Sequence, residues 1–424
     1  MATLIKNVRI IDPFASVDVV DDALITPQNI SIAPVKIPTA TTVIDGTGMV
    51  LAPGLVDLHV HFREPGFTHK ETIREGIARA LAGGFTSAVV MPNTKPAIDS
   101  YKAVSFQHKR AEKSGFDLMV AAAATFGLGG EVPTDVALLK KAGAVGITDD
   151  GRPVMSERLM QAQLRACRRE NVVFMQHAED LCQSHNHPMH EGTVSQKLAI
   201  NGQPASAEAD MVARDIALAE RIGARYHVLH LSCSATLKHV RAAKRRGVAV
   251  TAEVTPHHLL LSDRHVLGLD TCFKMNPPLR TDEDRRALLA GLNDHTIDAV
   301  ASDHAPHTRA EKARGFVGAP FGVTGLETTL SCLLTLVHEG KITLKRAIEL
   351  LTTGPAAIVN RHGVIGTMLG DQALKNAVLF DPKPRFQLSR RHLRGRSHNS
   401  PFLGAEFYGR VVMTFLNGCL LAVK

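Results

Sequence analysis

The sequence predicts an α/β protein: a (β/α)8 TIM-like barrel with a small β-sandwich domain formed by both termini. Three observations predict it. A strand–helix rhythm repeats from residue 54 to about 303, each apolar run closes on a polar residue, and the two ends of the chain change character. The runs are 54–61, 86–93, 117–124, 144–149, 172–177, 226–231, 248–253 and 297–303. Helix-like segments lie between them, at 70–82, 135–141, 157–170, 208–222, 235–246 and 283–292. Eight such units fit a barrel, whose active site sits at the C-terminal ends of the strands. A doubly wound open sheet is the weaker alternative, because no Gly-x-Gly-x-x-Gly follows the first of these runs. Residues 1–53 are strand-like with Pro and Asp breaks, and 364–424 return to short alternating runs at 376–381 and 410–423. The expected division is therefore 54–363 for the barrel and 1–53 plus 364–424 for the β-domain.

Composition narrows the function classes. At 424 residues the chain can bury a large core. Its N-terminus lacks the charged region, apolar core and cleavage site of a signal peptide, and no apolar run approaches a membrane span. The six cysteines are scattered without a Cys-x-x-Cys, as expected of reduced thiols in a cytoplasmic protein. The formal net charge of +8 is partly local, since 385–396 holds five arginines. Interleaved aromatics are missing there, so a nucleic-acid partner is not expected. A solvated loop is the plainest expectation for this run; a preference for an anionic substrate or an acidic partner is the other.

The chemistry is carried by the strand ends. On a strand alternate side chains share a face, so His59 and His61 point the same way. Asp149 and Asp150 end the fourth run, His177 the fifth, His230 the sixth, and Asp303, His304 and His307 the eighth. One strand-end histidine is ordinarily structural. Histidines and aspartates from five strand ends of one barrel converge on one mouth, which points to a metal centre. Spacing leaves Asp149 and Asp150 open as alternatives, because adjacent strand residues face opposite sides.

The motifs around these residues are His-Val-His-Phe-Arg-Glu-Pro-Gly at 59–66, Met-Pro-Asn-Thr at 91–94, Thr-Asp-Asp-Gly at 148–151 and Glu-Val-Thr-Pro-His-His at 253–258. Lys-Met-Asn-Pro-Pro-Leu-Arg at 274–280, Asp-His-Ala-Pro-His-Thr at 303–308 and Ala-Pro-Phe-Gly at 319–322 complete them. From about 47 to 381 the chain resembles the amidohydrolase superfamily and, within it, the long, type I dihydroorotases. The resemblance implies that His59 and His61 hold a first metal and His177 and His230 a second, with Asp150 bridging. Many relatives have a carboxylated Lys at the bridge; this chain has no Lys between 142 and 158. It further implies one or two Zn²⁺ per chain, metal-activated hydroxide as nucleophile, and Asp303 as both metal ligand and proton shuttle. Arg63, Asn93 and His307 would bind the substrate carboxylate, Asn276 would read the ring amide edge, and Pro320, Phe321 and Gly322 would offer backbone groups. The implied reaction is the reversible cyclisation of N-carbamoyl-L-aspartate to (S)-dihydroorotate in pyrimidine biosynthesis. A homodimer, association with aspartate carbamoyltransferase and no membrane partner belong to the same expectation.

Departures lie mostly at the ends. Residues 20–40 lack the family's usual paired strands with Gly-x-Ile, with Ile30-Ser31-Ile32 as a thin substitute, and Asn376-Ala377 stands where Ala-Asp is common. Allantoinases and hydantoinases usually keep the bridging Lys and lack Arg63 with Asn93 and His307. Non-catalytic relatives lose metal ligands, and here all are present. The histidines at 185, 187 and 190 are expected in a solvated loop. His257 and His258 are expected to support the site from behind. Lys95, Arg280 and His304 have no assignable role.

Overall fold

The computed structural model describes residues 2–422. Positions 1, 423 and 424, the outer ends of the expected β-domain, lie outside the described residues. The barrel strands are β6 (Leu55–Val60), β7 (Phe85–Val90), β8 (Asp117–Ala123), β9 (Ala144–Thr148), β10 (Val173–Gln176), β11 (Tyr226–Val228), β12 (Val250–Val254) and β13 (Ala299–Val300), hydrogen-bonded in sequence order. All the pairs are parallel. A bridge between Val60 and His304, with His61 N donating to His304 O at 2.9 Å, brings the last strand back to the first. β6 and β7 are buried along their whole length, as befits strands covered on both faces.

The connecting helices follow local chemistry. Thr72 and Glu75 form a capping box at the start of Ile73–Ala82, satisfying orphan N–H groups. Ser156 caps Glu157–Glu170, and Asn171 closes that helix in the left-handed conformation. The helix Tyr101–Ala111, capped by Ser100, covers β8.

The ends of the chain form one mixed sheet. It comprises β1 (Ala2–Asp12), β2 (Val17–Ile25), β3 (Ile30–Ile32), β4 (Thr41–Asp45), β5 (Val50–Pro53), β14 (Ala377–Gln387), β15 (Glu406–Leu416) and β16 (Cys419–Ala422). β5 joins the halves, parallel to β1 and antiparallel to β14. Ile5, Val8, Ile10, Ile25, Leu51, Leu379 and Phe415 form its core.

The basic run departs from the expected solvated loop. Its first residues, Arg385 to Gln387, extend β14, and the connection to β15 forms a strap along the barrel. Leu388, Leu393 and Phe402 anchor the strap in the barrel's own core cluster. Its arginines at 390, 391, 394 and 396 stay exposed, whereas Ser397, Asn399 and Ser400 are buried. Buried apolar residues between the arginines override the charge pattern that suggested solvation.

Candidate metal centre

β6 delivers His59 and, one residue past its end, His61, with ring centroids 5.1 Å apart. Asp150 follows β9, His177 follows β10, and His230 lies two residues past β11. Asp150 Oδ1 is 3.5 Å from both His59 Nε2 and His230 Nε2 and 3.7 Å from His177 Nδ1. Its Oδ2 is 3.5 Å from His61 Nε2. Asp150 therefore faces both histidine pairs. Asp149 turns the other way, accepting hydrogen bonds from Thr125 N and Oγ1. Asp303 Oδ1 lies 3.0 Å from His61 Nε2 and 3.7 Å from His59 Nε2. Two triads have donor atoms close enough for one ion each, and they share Asp150: His59–His61–Asp150 and Asp150–His177–His230. His59 Nε2 and Asp150 Oδ1 are buried without a hydrogen-bond partner. Such atoms cost about 1–3 kcal/mol each when left unsatisfied, and a cation between them removes that cost. The donor set fits a metal.

Three of the four imidazoles are aimed by a second partner, while His230 Nδ1 is buried without one among the described residues. Glu253 Oε1 lies 2.9 Å from His59 Nδ1, Asn93 Oδ1 lies 2.8 Å from His61 Nδ1, and Glu179 Oε2 lies 3.0 Å from His177 Nε2. Asp57 accepts from His59 N and Ser302 N, tying the first strand to the last. Burial opposes charge on His59, yet the surrounding carboxylates of Asp150, Glu253 and Asp303 hold its pKa well above the usual imidazole value. Burial also disfavours the charged Asp150 carboxylate, but the neighbouring His59, His230 and His61 rings hold it well below the usual range. Asp303 is lowered in the same way, burial being outweighed by His61, His59 and His230. Both carboxylates are ionised at neutral pH, the form that can ligate a cation. His230 and Asp303 adopt φ of 29° and 46°, a left-handed conformation costing about 1–3 kcal/mol in non-glycine residues and concentrated at functional sites.

A cavity of about 330 Å³ opens above the cluster. It is lined by Arg63, Asn93, Asn276, His307, Pro320, Phe321 and Gly322 together with His61, Asp150, His177, His230 and Asp303. All the residues expected at the site thus line one cavity, apart from His59, which lies fully buried against Asp150. Arg63 is not paired with Glu64, whose carboxylate is taken by Arg110 at 2.6 Å. Its Nε donates to Pro306 O at 3.3 Å and its Nη2 lies 3.4 Å from His307 Nε2. Burial lowers the Arg63 pKa, and no carboxylate among the described residues is within ion-pair distance of it. His307 accepts from Lys70 Nζ through Nδ1 at 3.2 Å, leaving Nε2–H to donate to Phe321 O at 2.8 Å. Burial, then Arg63, Lys70 and Lys312, hold its pKa far below the usual imidazole value, so the ring is neutral.

Several contributors had no role assigned from sequence, His258 being the exception. Glu179 follows His177 by two residues and also receives Asn276 Nδ2 at 2.7 Å. Lys70 backs His307. Lys274 and Lys312 donate to carbonyls of the loop that carries Phe321, at Ala319 and Pro320. Arg280 ties Ser232 Oγ to Gln203 O and to His190. His190 is thereby buried and its pKa pushed down to about 4, chiefly by burial and then by Arg280, so this histidine is not in solvent as expected. His304 binds Glu71 at 3.1 Å, and His258 holds Pro277 O at 3.1 Å, steadying the loop that carries Asn276.

Barrel, convergent histidines and an aspartate facing both histidine pairs define a metal-dependent hydrolase of the amidohydrolase type acting on a small molecule. A family model described as dihydro-orotase-like matches residues 48–236. A dihydroorotase from Solibacter usitatus is 43% identical over 423 residues, 99% of this chain and 98% of that protein. One from Bacillus caldolyticus is 43% identical over 384 residues, 90% and 89% of the two chains. The chain belongs to the dihydroorotase family. Among solved structures, an L-hydantoinase from Arthrobacter aurescens superposes with a TM-score of 0.87 over 99% of this chain and 96% of its own, at 23% identity. That likeness shows the shared fold.

Proposed function

We propose that the chain interconverts N-carbamoyl-L-aspartate and (S)-dihydroorotate. The observation that carries this reading is Arg63, a buried guanidinium without a carboxylate partner, lining the same small cavity as the metal cluster. A buried unpaired cation is costly and awaits an anion, and a planar guanidinium suits a carboxylate. His59, His61, Asp150, His177, His230 and Asp303 would hold one or two ions, and the imidazole–carboxylate set suits Zn²⁺. A bound ion there supplies Lewis acidity and makes water nucleophilic at neutral pH.

The chain's own residues do the rest. Arg63 grips the substrate carboxylate, and His307 Nε2–H exchanges Phe321 O for a carboxylate oxygen, with Asn93 Nδ2 beside them. Asn276, held by Glu179, faces the ring amide edge. Pro320, Phe321 and Gly322, beside His307, would offer backbone groups to the substrate. Asp303 accepts the proton of the water attacking the ring carbonyl and returns it to the nitrogen as the C–N bond breaks. The same groups close the ring in reverse.

The test is kcat/KM for dihydroorotate and for dihydrouracil, which lacks the carboxylate, with the parent chain and with Arg63→Met. The parent is expected to prefer dihydroorotate, and Arg63→Met to lose about 2–5 kcal/mol of transition-state binding on that substrate alone. A parent that prefers dihydrouracil contradicts the reading. We further infer a cytoplasmic homodimer with capacity to associate with aspartate carbamoyltransferase. Sedimentation of the chain alone and mixed with that enzyme tests both, and a monomer that ignores the second enzyme contradicts them. Among the described residues no helix is long and apolar enough to cross a membrane.

A further inference from the structure

The strap between β14 and β15 sends one buried polar side chain towards the substrate cavity. Asn399 is 5% exposed, and its carboxamide makes three hydrogen bonds, each 3.1 Å. Oδ1 accepts from His307 N, and Nδ2 donates to Ala305 O and to Gly322 O. The partners fix the orientation of the amide, since one is an N–H and two are carbonyls. Asn399 O also accepts from Thr324 N at 3.0 Å. One residue thus joins the loop after β13 to the loop that carries Phe321 and Gly322.

The grip falls on either side of Pro306, whose carbonyl receives Arg63 Nε. It also sets the backbone of His307, whose ring meets Phe321 O. The two loops touch so closely that a Cβ at Gly322 would lie 2.6 Å from Ala305 Cβ, and Gly322 has φ of +118°. The strap reaches His307 by a second route. Ser397 Oγ donates to Lys70 O at 2.9 Å, and Lys70 Nζ donates to His307 Nδ1.

We infer, resting on the carboxylate reading above, that Asn399 is a positioning residue. It clamps these two loops and so sets the spacing of Arg63 and His307 that recognises the substrate carboxylate. Asn399 itself does not line the cavity. An aspartate has the same shape but no donors, and would set a charged oxygen against two carbonyls. A displacement of the order of 1 Å at Pro306 would misalign Arg63 from a bidentate partner, which is enough to cost binding.

The experiment compares kcat/KM for dihydroorotate and dihydrouracil in the metal-loaded parent, Asn399→Asp, Asn399→Ser and Arg63→Met. The ratio of the two substrates on one sample cancels any loss of folded protein. Asn399→Ser, the milder change, serves if Asn399→Asp does not fold. The ratio is expected to fall at least about tenfold in the Asn399 variants, through a raised KM for dihydroorotate, with a much smaller loss on dihydrouracil. Equal losses on both substrates, an unchanged ratio, or a loss confined to kcat would overturn the inference. If Arg63→Met collapses the ratio while the Asn399 variants do not, the substrate reading stands and the clamp fails. If Arg63→Met leaves the ratio intact, the substrate reading itself fails and takes the clamp with it.

Discussion

His61 shows how one ligand position is made. Nε2 faces Asp303 and Asp150, while Nδ1 is held by Asn93, so the ring cannot turn without breaking a buried contact. His61→Ala is expected to lower metal content and turnover together. Full metal occupancy with normal turnover, measured on one sample, would remove His61 from the centre. Asp303→Asn should keep the fold and part of the metal but lose nearly all turnover, because an amide does not shuttle a proton. Steady-state rates across pH check this, and parent-like rates would contradict it. The convergence of these strand-end side chains was legible because each closes an apolar run. Most of their supports were not, His258 excepted. Glu179, Lys70 and Asn399 act through contacts that carry no periodicity, and the side-chain partners of Asn399 lie 77 to 94 residues away in sequence.

At the scale of elements, the helix Ile73–Ala82 approaches the segment just past β6 through Gly76. A Cβ there would lie 2.3 Å from Phe62 Cε1, and Phe62 sits between His61 and Arg63. An alanine in a helix ordinarily stabilises, but here overpacking should dominate. Gly76→Ala is expected to cost about 1–3 kcal/mol in urea unfolding and to reduce turnover. A variant as stable and active as the parent would contradict the packing. Asp215, on the helix Ser206–Ile222, is bound by Arg214 at 2.8 Å and by the Tyr226 hydroxyl at 3.2 Å. Burial pushes its pKa from 3.8 up to about 6. The folded state therefore holds a proton between these values that the unfolded state has lost, so stability falls as pH rises through this window. Asp215→Asn removes that dependence. Variant minus parent stability should grow by up to about 3 kcal/mol between pH of about 4 and 7; parallel curves would contradict it. The barrel strands were legible as apolar runs, with ends shifted by up to three residues. The strap was not, because its arginines outnumber the few apolar anchors that bury it.

Across the whole molecule, β5 and β14 join the two ends of the chain in one sheet, and the strap between β14 and β15 carries that sheet's influence to the mouth of the barrel. The division into barrel and end-built sheet could be read from the change of rhythm at the termini, whereas the contact between them could not. Metal binding to the folded state alone should raise the melting temperature. Chelation should lower it reversibly, by the equivalent of about 4 kcal/mol for an ion present at a thousand times its Kd. The central claim is a metal-dependent dihydroorotase. Its most direct test is turnover of dihydroorotate by the purified chain, with metal determined on the same sample before chelation, after it, and after metal is restored. Turnover is expected to disappear with the metal and return with it. A fully metal-loaded chain that leaves dihydroorotate untouched, or a metal-free chain that still hydrolyses it, would contradict the account.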